Sequence, residues 1–483
     1  MLQIEILRGS IQIKVFGVNV VGSIVKKDYC IGCGVCAGIC PSNNLHMDWS
    51  NRGELIPYGR ASCRDNCSIC LDVCPFYDHD QNQDSIASDL FSKIPDINYN
   101  KIAGYYLKCY VGYKNNEKER LKSASGGAAT SFLSSLLIEN IVNKVVAVGV
   151  SDDPNRMFKF KILRSIDEVN SCAGSAYYPV EISEILKIIL NEKSEEKYAI
   201  IALPCVVYSL RHAMKKIPKL KRRIKIIASL TCGQLQNRFN AEFLAIESGV
   251  PIDKLLKIDF RRKYKDMSAS NFFTVPIDND GIEGIPLPNQ GLQFHLWKFQ
   301  YFKHNACNFC DDVFGEVADI TFMDAWLPEY IMDYRGNSLI IARTLLVKKI
   351  LDNSKELYLD NIDINRVLES QMGVIEKKRV LLSGRLFKKE MMNNWYPKRR
   401  VEPDAIIYNK NKKFINLTDE IQYSSKELWP EHCLDKSTKR FFEKTKSLES
   451  KVKRYKWELK LKRLIDFPLS LIKDFRGSID GKR

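Results

Sequence analysis

The sequence predicts a cysteine-rich α+β unit at the front of the chain, an α/β core behind it and a basic helical tail. Three observations carry this. Two closely spaced cysteine runs, Cys30 to Pro41 and Cys63 to Pro75, lie near the N-terminus. Behind them, short apolar runs rich in Val, Ile and Ala alternate with amphipathic stretches, the pattern of strands and helices in α/β layers. The segment from Lys436 to Arg463 then holds 12 basic residues against 3 acidic ones.

The chain has 483 residues, room for about three domains. The boundaries read from composition are 1–95 for the cysteine-rich unit with an N-terminal extension, 96–200 and 201–375 for two parts of the core, and 376–483 for the tail. Hydrophobic residues make up 45% and charged residues 27%, an ordinary globular balance. The net charge of +16 raises a nucleic-acid reading. More than half of the excess sits in the tail, where few aromatics interleave, so no nucleic-acid partner is expected. Residues 11–25 are apolar, but Lys14 interrupts them and the run is too short for a bilayer, so the expectation is a cytoplasmic protein.

Along the chain, Ile11, Ile13 and Val15 alternate and read either as a strand added to the cysteine-rich unit or as an extension without fixed structure. The run from Cys30 fits C-x2-C-x2-C-x3-C-P, the ferredoxin spacing in which three thiolates hold one cubane and the fourth crosses to another. The small residues Gly32, Gly34, Ala37 and Gly38 let the loop wrap tightly. Two 4Fe–4S clusters follow. One takes Cys30, Cys33, Cys36 and Cys74; the other takes Cys63, Cys67, Cys70 and Cys40. Three residues, rather than two, separate Cys63 from Cys67, which makes Cys63 the irregular ligand. Zinc also binds paired CxxC motifs, but the triplets and trailing prolines favour iron–sulfur. Residues 44–48 and 53–57 read as the hairpin between the two halves, and polar residues 77–100 as a linker.

The core begins near Gly104 with a strand over Tyr106 to Tyr113. Ser125-Gly126-Gly127 opens a helical run through Phe132, Leu133 and Leu136, and a small-residue turn at a helix start is suited to phosphate. Strands are expected over 145–150, 158–163, 198–203 and 224–230, with helices over 179–190 and 206–215. The last two strands end at Pro204-Cys205 and Thr231-Cys232, and strand C-termini are where such sheets build sites. With Cys307 and Cys310 these make four thiols, the number needed for a third 4Fe–4S cluster. Arg261, Arg262 and Lys263 read as an anion site or as a solvated basic turn. In the tail, Leu448, Val452, Tyr455 and Leu459 line one helix face up to Pro468; that face packs on the protein's own body or makes peripheral membrane contact.

The ordered set of cysteine runs, Ser125-Gly126-Gly127, Leu203-Pro204-Cys205, Thr231-Cys232-Gly233, Asp259-Phe260-Arg261-Arg262-Lys263 and Cys307-x2-Cys310 leading to Asp324-Ala325-Trp326 resembles the coenzyme F-420 hydrogenase/dehydrogenase beta-subunit family. The resemblance implies a flavin-binding core with FAD beside the clusters and, by matching position, Ser125, Gly126, Gly127 and Thr130 as FAD contacts. It implies an oxidoreductase that relays single electrons from ferredoxin or another redox protein to FAD and reduces a small organic substrate. Similar proteins occur with surface-polysaccharide enzymes. The alternative is an electron-transfer subunit that docks on a partner dehydrogenase or hydrogenase. Ala176, Val206 and Met323 depart from the family pattern, and these changes leave the use of coenzyme F-420 open.

Overall fold

The computed structural model describes residues 2–7, 10–15, 19–59, 63, 66–153, 155–433 and 437–460. Its centre is a sheet of eight strands, numbered along the chain as β1 (Lys108–Lys114), β2 (Lys144–Val150), β3 (Phe158–Leu163), β4 (Tyr198–Ala202), β5 (Ile224–Leu230), β6 (Ile320–Asp324), β7 (Ser338–Ala342) and β8 (Leu357–Asn361). Across the sheet the order is β8-β1-β7-β6-β5-β4-β2-β3. The middle strands β2, β4, β5 and β6 run parallel. Antiparallel pairs complete both sides. Strands from both sides of residue 200 therefore share one layer.

Parallel strands are buried on both faces, and β4 is buried at every residue. Side chains alternate between the faces with the period of two that a strand imposes. Val146, Ile200, Ala202 and Ile227 point into a core shared with the cysteine-rich unit. Val145, Ala199, Ile201 and Ile226 point the other way, onto Phe132, Leu133 and Leu136 of the Ala128–Ile138 helix. Because β4 and β5 pair in parallel from Tyr198↔Ile224 to Ala202↔Ser229, their C-terminal ends lie side by side.

In the cysteine-rich unit, Leu45–Trp49 and Leu55–Gly59 form an antiparallel hairpin, with one-turn helices at Val35–Gly38 and Ile69–Asp72. The unit is stitched to helices that cover the sheet. Ile182 donates its backbone N–H to Cys33 O at 3.0 Å. From the Pro204–Lys216 helix, Ser209 Oγ donates to Val73 O at 2.5 Å and Tyr208 OH to Gln81 O at 2.9 Å. A Cβ built on Gly38 would lie 2.9 Å from Leu186 Cβ and 2.9 Å from Ser183 O, so only glycine admits this approach.

Several expectations change. Among the described residues Leu2–Leu7 and Ser10–Val15 pair only with each other, so the N-terminal strand builds its own hairpin instead of extending the cysteine-rich unit. The expected linker contains a helix, Gln83–Phe91, capped by Asn82 accepting from Ser85 N at 3.0 Å, with Ile86, Ala87 and Phe91 buried. Its polar residues mask a short apolar stripe. The strand expected over 106–113 divides into Gly104–Tyr106 and β1, and the helix expected from Pro179 starts at Ser183.

The tail is helical over Leu381–Met391, Ala405–His432, Lys439–Lys444 and residues 446–460. Its apolar face is covered by the protein itself. Leu448 and Val452 join a cluster with Phe243, Phe302 and Trp429, and Tyr455 stacks on Phe414 at 5.6 Å. That face is thus not open to a membrane. Among the described residues no helix is long and apolar enough to cross one. Pro468 lies outside the described residues.

Gly38→Ala is expected to destabilise the protein by roughly 1–3 kcal/mol through overpacking. The measurement is the denaturant midpoint of the anaerobically purified protein, and an unchanged midpoint would show that the contact gives way without cost.

Candidate metal centre

The loop from Cys30 reverses direction twice. Gly32 (φ +70°) and Gly34 (φ +77°) occupy the left-handed region, and a Cβ on Gly32 would come within 2.5 Å of Leu55 O. With those turns in place, Cys30, Cys33 and Cys36 face Cys74 across a small cavity walled by Val20, Ile31, Met47 and Phe76. Gly32 N–H points at Cys30 Sγ at 3.4 Å. Burial pushes the Cys30 and Cys36 thiols well above their usual range and charge repulsion among the cysteines adds to it; burial pushes Cys74 up to about 12.

The second run brings Cys63 and Cys67 close enough to raise the Cys70 thiol further, after burial, by like charge. Asn44 Nδ2 donates to Cys63 Sγ at 3.7 Å. Cys40 follows the Val35–Gly38 helix and is half-buried.

The third set is drawn together by topology. Cys205 sits at the start of the Pro204–Lys216 helix after β4, Cys232 two residues beyond β5, and Cys307 and Cys310 on and just after the 3-10 turn Asn305–Phe309. All four line a small cavity with Leu203, Leu235 and Lys378. Leu235 N–H points at Cys307 Sγ at 3.3 Å and Lys378 Nζ at Cys310 Sγ at 3.2 Å. Burial pushes Cys205 well above its usual range and Cys307 up to about 12. The positive end of the 13-residue helix that carries Cys205 favours negative charge here. Ile31 and Phe76 belong to the walls of both cavities.

Two sets of four thiols, each lining one cavity, fit iron–sulfur cubanes. Ionised thiols cannot share such a space without positive charge between them, and bound metal supplies it. Among the described residues no group of three or more His, Cys, Asp or Glu gathers around a single-ion point. The four thiols of each set line a cavity. Backbone and ammonium N–H groups aimed at sulfur are among the features that set a cluster's potential.

The Ser125-Gly126-Gly127 turn is tightly built against β1 and the start of β7. Ser125 Oγ donates to Asn337 O at 2.6 Å, Gly126 N–H to Ser338 Oγ at 3.1 Å and Thr130 Oγ1 to Gly127 O at 3.0 Å. Gly126 has no space for a side chain, since a Cβ would lie 2.7 Å from Gly112 O. Gly127 (φ +83°) starts the helix. The basic run is paired within the fold, with Arg261 buried and Arg262 and Lys263 half-buried. Arg261 pairs with Asp324 at 2.8 Å and Arg262 with Asp259 at 3.0 Å. Lys263 Nζ donates to the carbonyls of Ser125 (2.7 Å), Arg120 (2.9 Å) and Arg335 (2.6 Å), clamping the glycine turn from beneath.

Sequence reasoning missed Lys263 as a clamp and Lys378 as part of the thiol site. Lys378 lies in the charged stretch Lys377-Lys378-Arg379, which composition assigns to the solvated tail; nothing in spacing shows that Lys377 turns onto the Trp297 ring and Lys378 into the thiol site.

Thiol sets at the ends of parallel strands, beside a ferredoxin-type unit, define an iron–sulfur electron-transfer protein. Residues 195–365 match the family model for the C terminus of the coenzyme F-420 hydrogenase/dehydrogenase beta subunit, residues 109–187 that for its N-terminal part, and residues 24–46 the 4Fe-4S binding domain. The chain belongs to the coenzyme F-420 hydrogenase/dehydrogenase beta-subunit family, with a 4Fe–4S domain at its front. An uncharacterized protein of Methanocaldococcus jannaschii is 21% identical over 382 residues, spanning 73% of this chain and 94% of that protein. An uncharacterized ferredoxin of the same organism is 36% identical over 52 residues, 11% of this chain and 66% of the ferredoxin. Among solved structures, a chain from the xenon-derivatized F-420-reducing [NiFe] hydrogenase complex of Methanosarcina barkeri is similar, at 15% identity and a TM-score of 0.47, over 62% of this chain and 98% of that one.

Lys263→Met removes the only donor this clamp offers the three carbonyls. The carbonyls of Ser125 and Arg335 lose this partner, at about 1–3 kcal/mol each, while Arg120 O keeps the Ser123 N–H at 3.2 Å, so the denaturant midpoint is expected to fall while iron content per folded chain stays unchanged. A loss of iron with no change in midpoint would contradict the clamp.

Proposed function

We propose that this chain is an iron–sulfur flavoprotein oxidoreductase carrying three 4Fe–4S clusters and one FAD. It takes single electrons from ferredoxin or another redox protein in a reducing cytoplasm and reduces an organic substrate by two electrons. The resemblance suggests surface-polysaccharide metabolism as the setting. The observation that carries this reading is the pair of four-thiol cavities sharing Ile31 and Phe76. Bound clusters there supply one-electron transfer, and bound flavin couples single electrons to a two-electron reduction.

The protein's own residues do the rest. Cys30, Cys33, Cys36 and Cys74 hold the first cluster, Cys40, Cys63, Cys67 and Cys70 the second, and Cys205, Cys232, Cys307 and Cys310 the third. Ile31 and Phe76 keep water out of the wall between the first and third. Ser125, Gly126, Gly127 and Thr130 present the start of the Ala128–Ile138 helix to the FAD phosphates, and Lys263 keeps that turn rigid. A second reading, an electron-transfer subunit that docks on a partner dehydrogenase or hydrogenase, is favoured by one observation: the Ser125 and Thr130 hydroxyls and the Gly126 amide are already hydrogen-bonded within the fold.

Iron, sulfide and flavin assays on the anaerobically purified chain separate the two. The oxidoreductase is expected to hold about one FAD per chain, with about four irons in each cluster. The double variant Cys307→Ala/Cys310→Ala is expected to lose about four irons and keep the remainder. Clusters without flavin would leave the carrier, and equal iron in wild type and double variant would remove the third cluster.

A further inference from the structure

The two cavities share a wall but differ in charge. The first is lined by apolar side chains, glycine, prolines and Ser209, with no cationic side chain among its described lining residues. Arg399 lies over Phe76 at 4.7 Å, close enough for its charge to act on Cys74, but it hydrogen-bonds the carbonyls of Phe309, Pro75 and Lys398. The other cavity is lined by Lys378. Its buried ammonium donates to Asp312 O at 2.6 Å and to Cys310 Sγ at 3.2 Å.

The backbone is bent to place that group. Lys378 lies on a π-helical turn, Glu376–Val380, set between the Met372–Ile375 and Leu381–Met391 helices. Such turns insert a residue into a helix and re-aim the side chains, often at functional sites. No carboxylate hydrogen-bonds the ammonium; its two partners are a carbonyl and a ligand sulfur. A charged hydrogen bond to sulfur, away from water, favours whichever cluster state carries more negative charge.

We propose that Lys378 is a positioning residue for electrons. It raises the reduction potential of the Cys205, Cys232, Cys307 and Cys310 cluster above that of the Cys30, Cys33, Cys36 and Cys74 cluster, so electrons pass from the ferredoxin-type unit toward the sheet. This rests on the reading of the four thiols as ligands of a third cluster. The step is a one-electron transfer: the donor cluster is oxidised, the acceptor cluster gains one negative charge, and no proton moves, because the ammonium is already charged.

The test is a redox titration of the anaerobically purified chain, followed by electron paramagnetic resonance. The signal missing from Cys307→Ala/Cys310→Ala identifies the third cluster. In Lys378→Met and Lys378→Gln, the reduction equilibrium constant of that signal is expected to fall at least tenfold, which is 59 mV for a one-electron couple. Lys378→Arg is expected to stay near wild type, and the first cluster's midpoint to stay unmoved in every variant. If the double cysteine variant lacks no signal, the three-cluster reading fails and this inference with it. If the signal exists but does not shift in the neutral variants, the inference alone is overturned. Loss of the cluster from both neutral variants, with retention in Lys378→Arg, would make Lys378 an anchor and would also overturn it.

Discussion

Thiols held face to face away from water resist ionisation twice over, once because burial disfavours the charge and again because each charge repels its neighbours. The interior of this protein is arranged around that constraint. It brings Cys30, Cys33, Cys36 and Cys74 round one cavity and Cys205, Cys232, Cys307 and Cys310 round another, and such sets are stable only with positive charge between them. The surroundings are consistent with that need. Glycines in the left-handed region let the first loop close, a helix N-terminus sits beside Cys205, and an ammonium reaches Cys310.

Local and long-range devices divide the work. The first set is gathered mainly by a tight loop of small residues, with one thiol returned by the matching second run. The other set draws on residues more than a hundred positions apart. There the parallel pairing of β4 and β5 does what loop geometry does in the first, setting two strand ends side by side. The glycine turn at Ser125 depends on equally distant support, since Lys263 and Asn337 hold it from other parts of the chain.

What was legible in the sequence follows from this division. Cysteine spacing is local and chemically specific, so the front unit and its hairpin could be read directly. The strands at 145–150, 158–163, 198–203 and 224–230 were legible because burial on both faces leaves continuous apolar runs, and β2 to β5 occupy those places. Harder to read were elements whose signal is mixed with polarity. The Gln83–Phe91 helix hides Ile86, Ala87 and Phe91 among Asp, Gln and Ser. Arg261, Arg262 and Lys263 look like a surface run, yet Arg261 is buried with Asp324 and Lys263 is spent on carbonyls, partners that only the folded chain supplies. Lys378 was illegible for the same reason: charge is visible in a sequence, but the direction it faces is not.

The bonds that stitch Val73, Gln81 and Cys33 to the covering helices, and the glycine contact at Gly38, tie the described residues of the front unit to the sheet. A tethered carrier must swing between donor and acceptor, and its turnover slows in thick solvents. Here the wall shared through Ile31 and Phe76 separates the two cavities, so electron transfer between the clusters proposed for them would be indifferent to viscosity, and only the encounter with an outside partner would feel the medium.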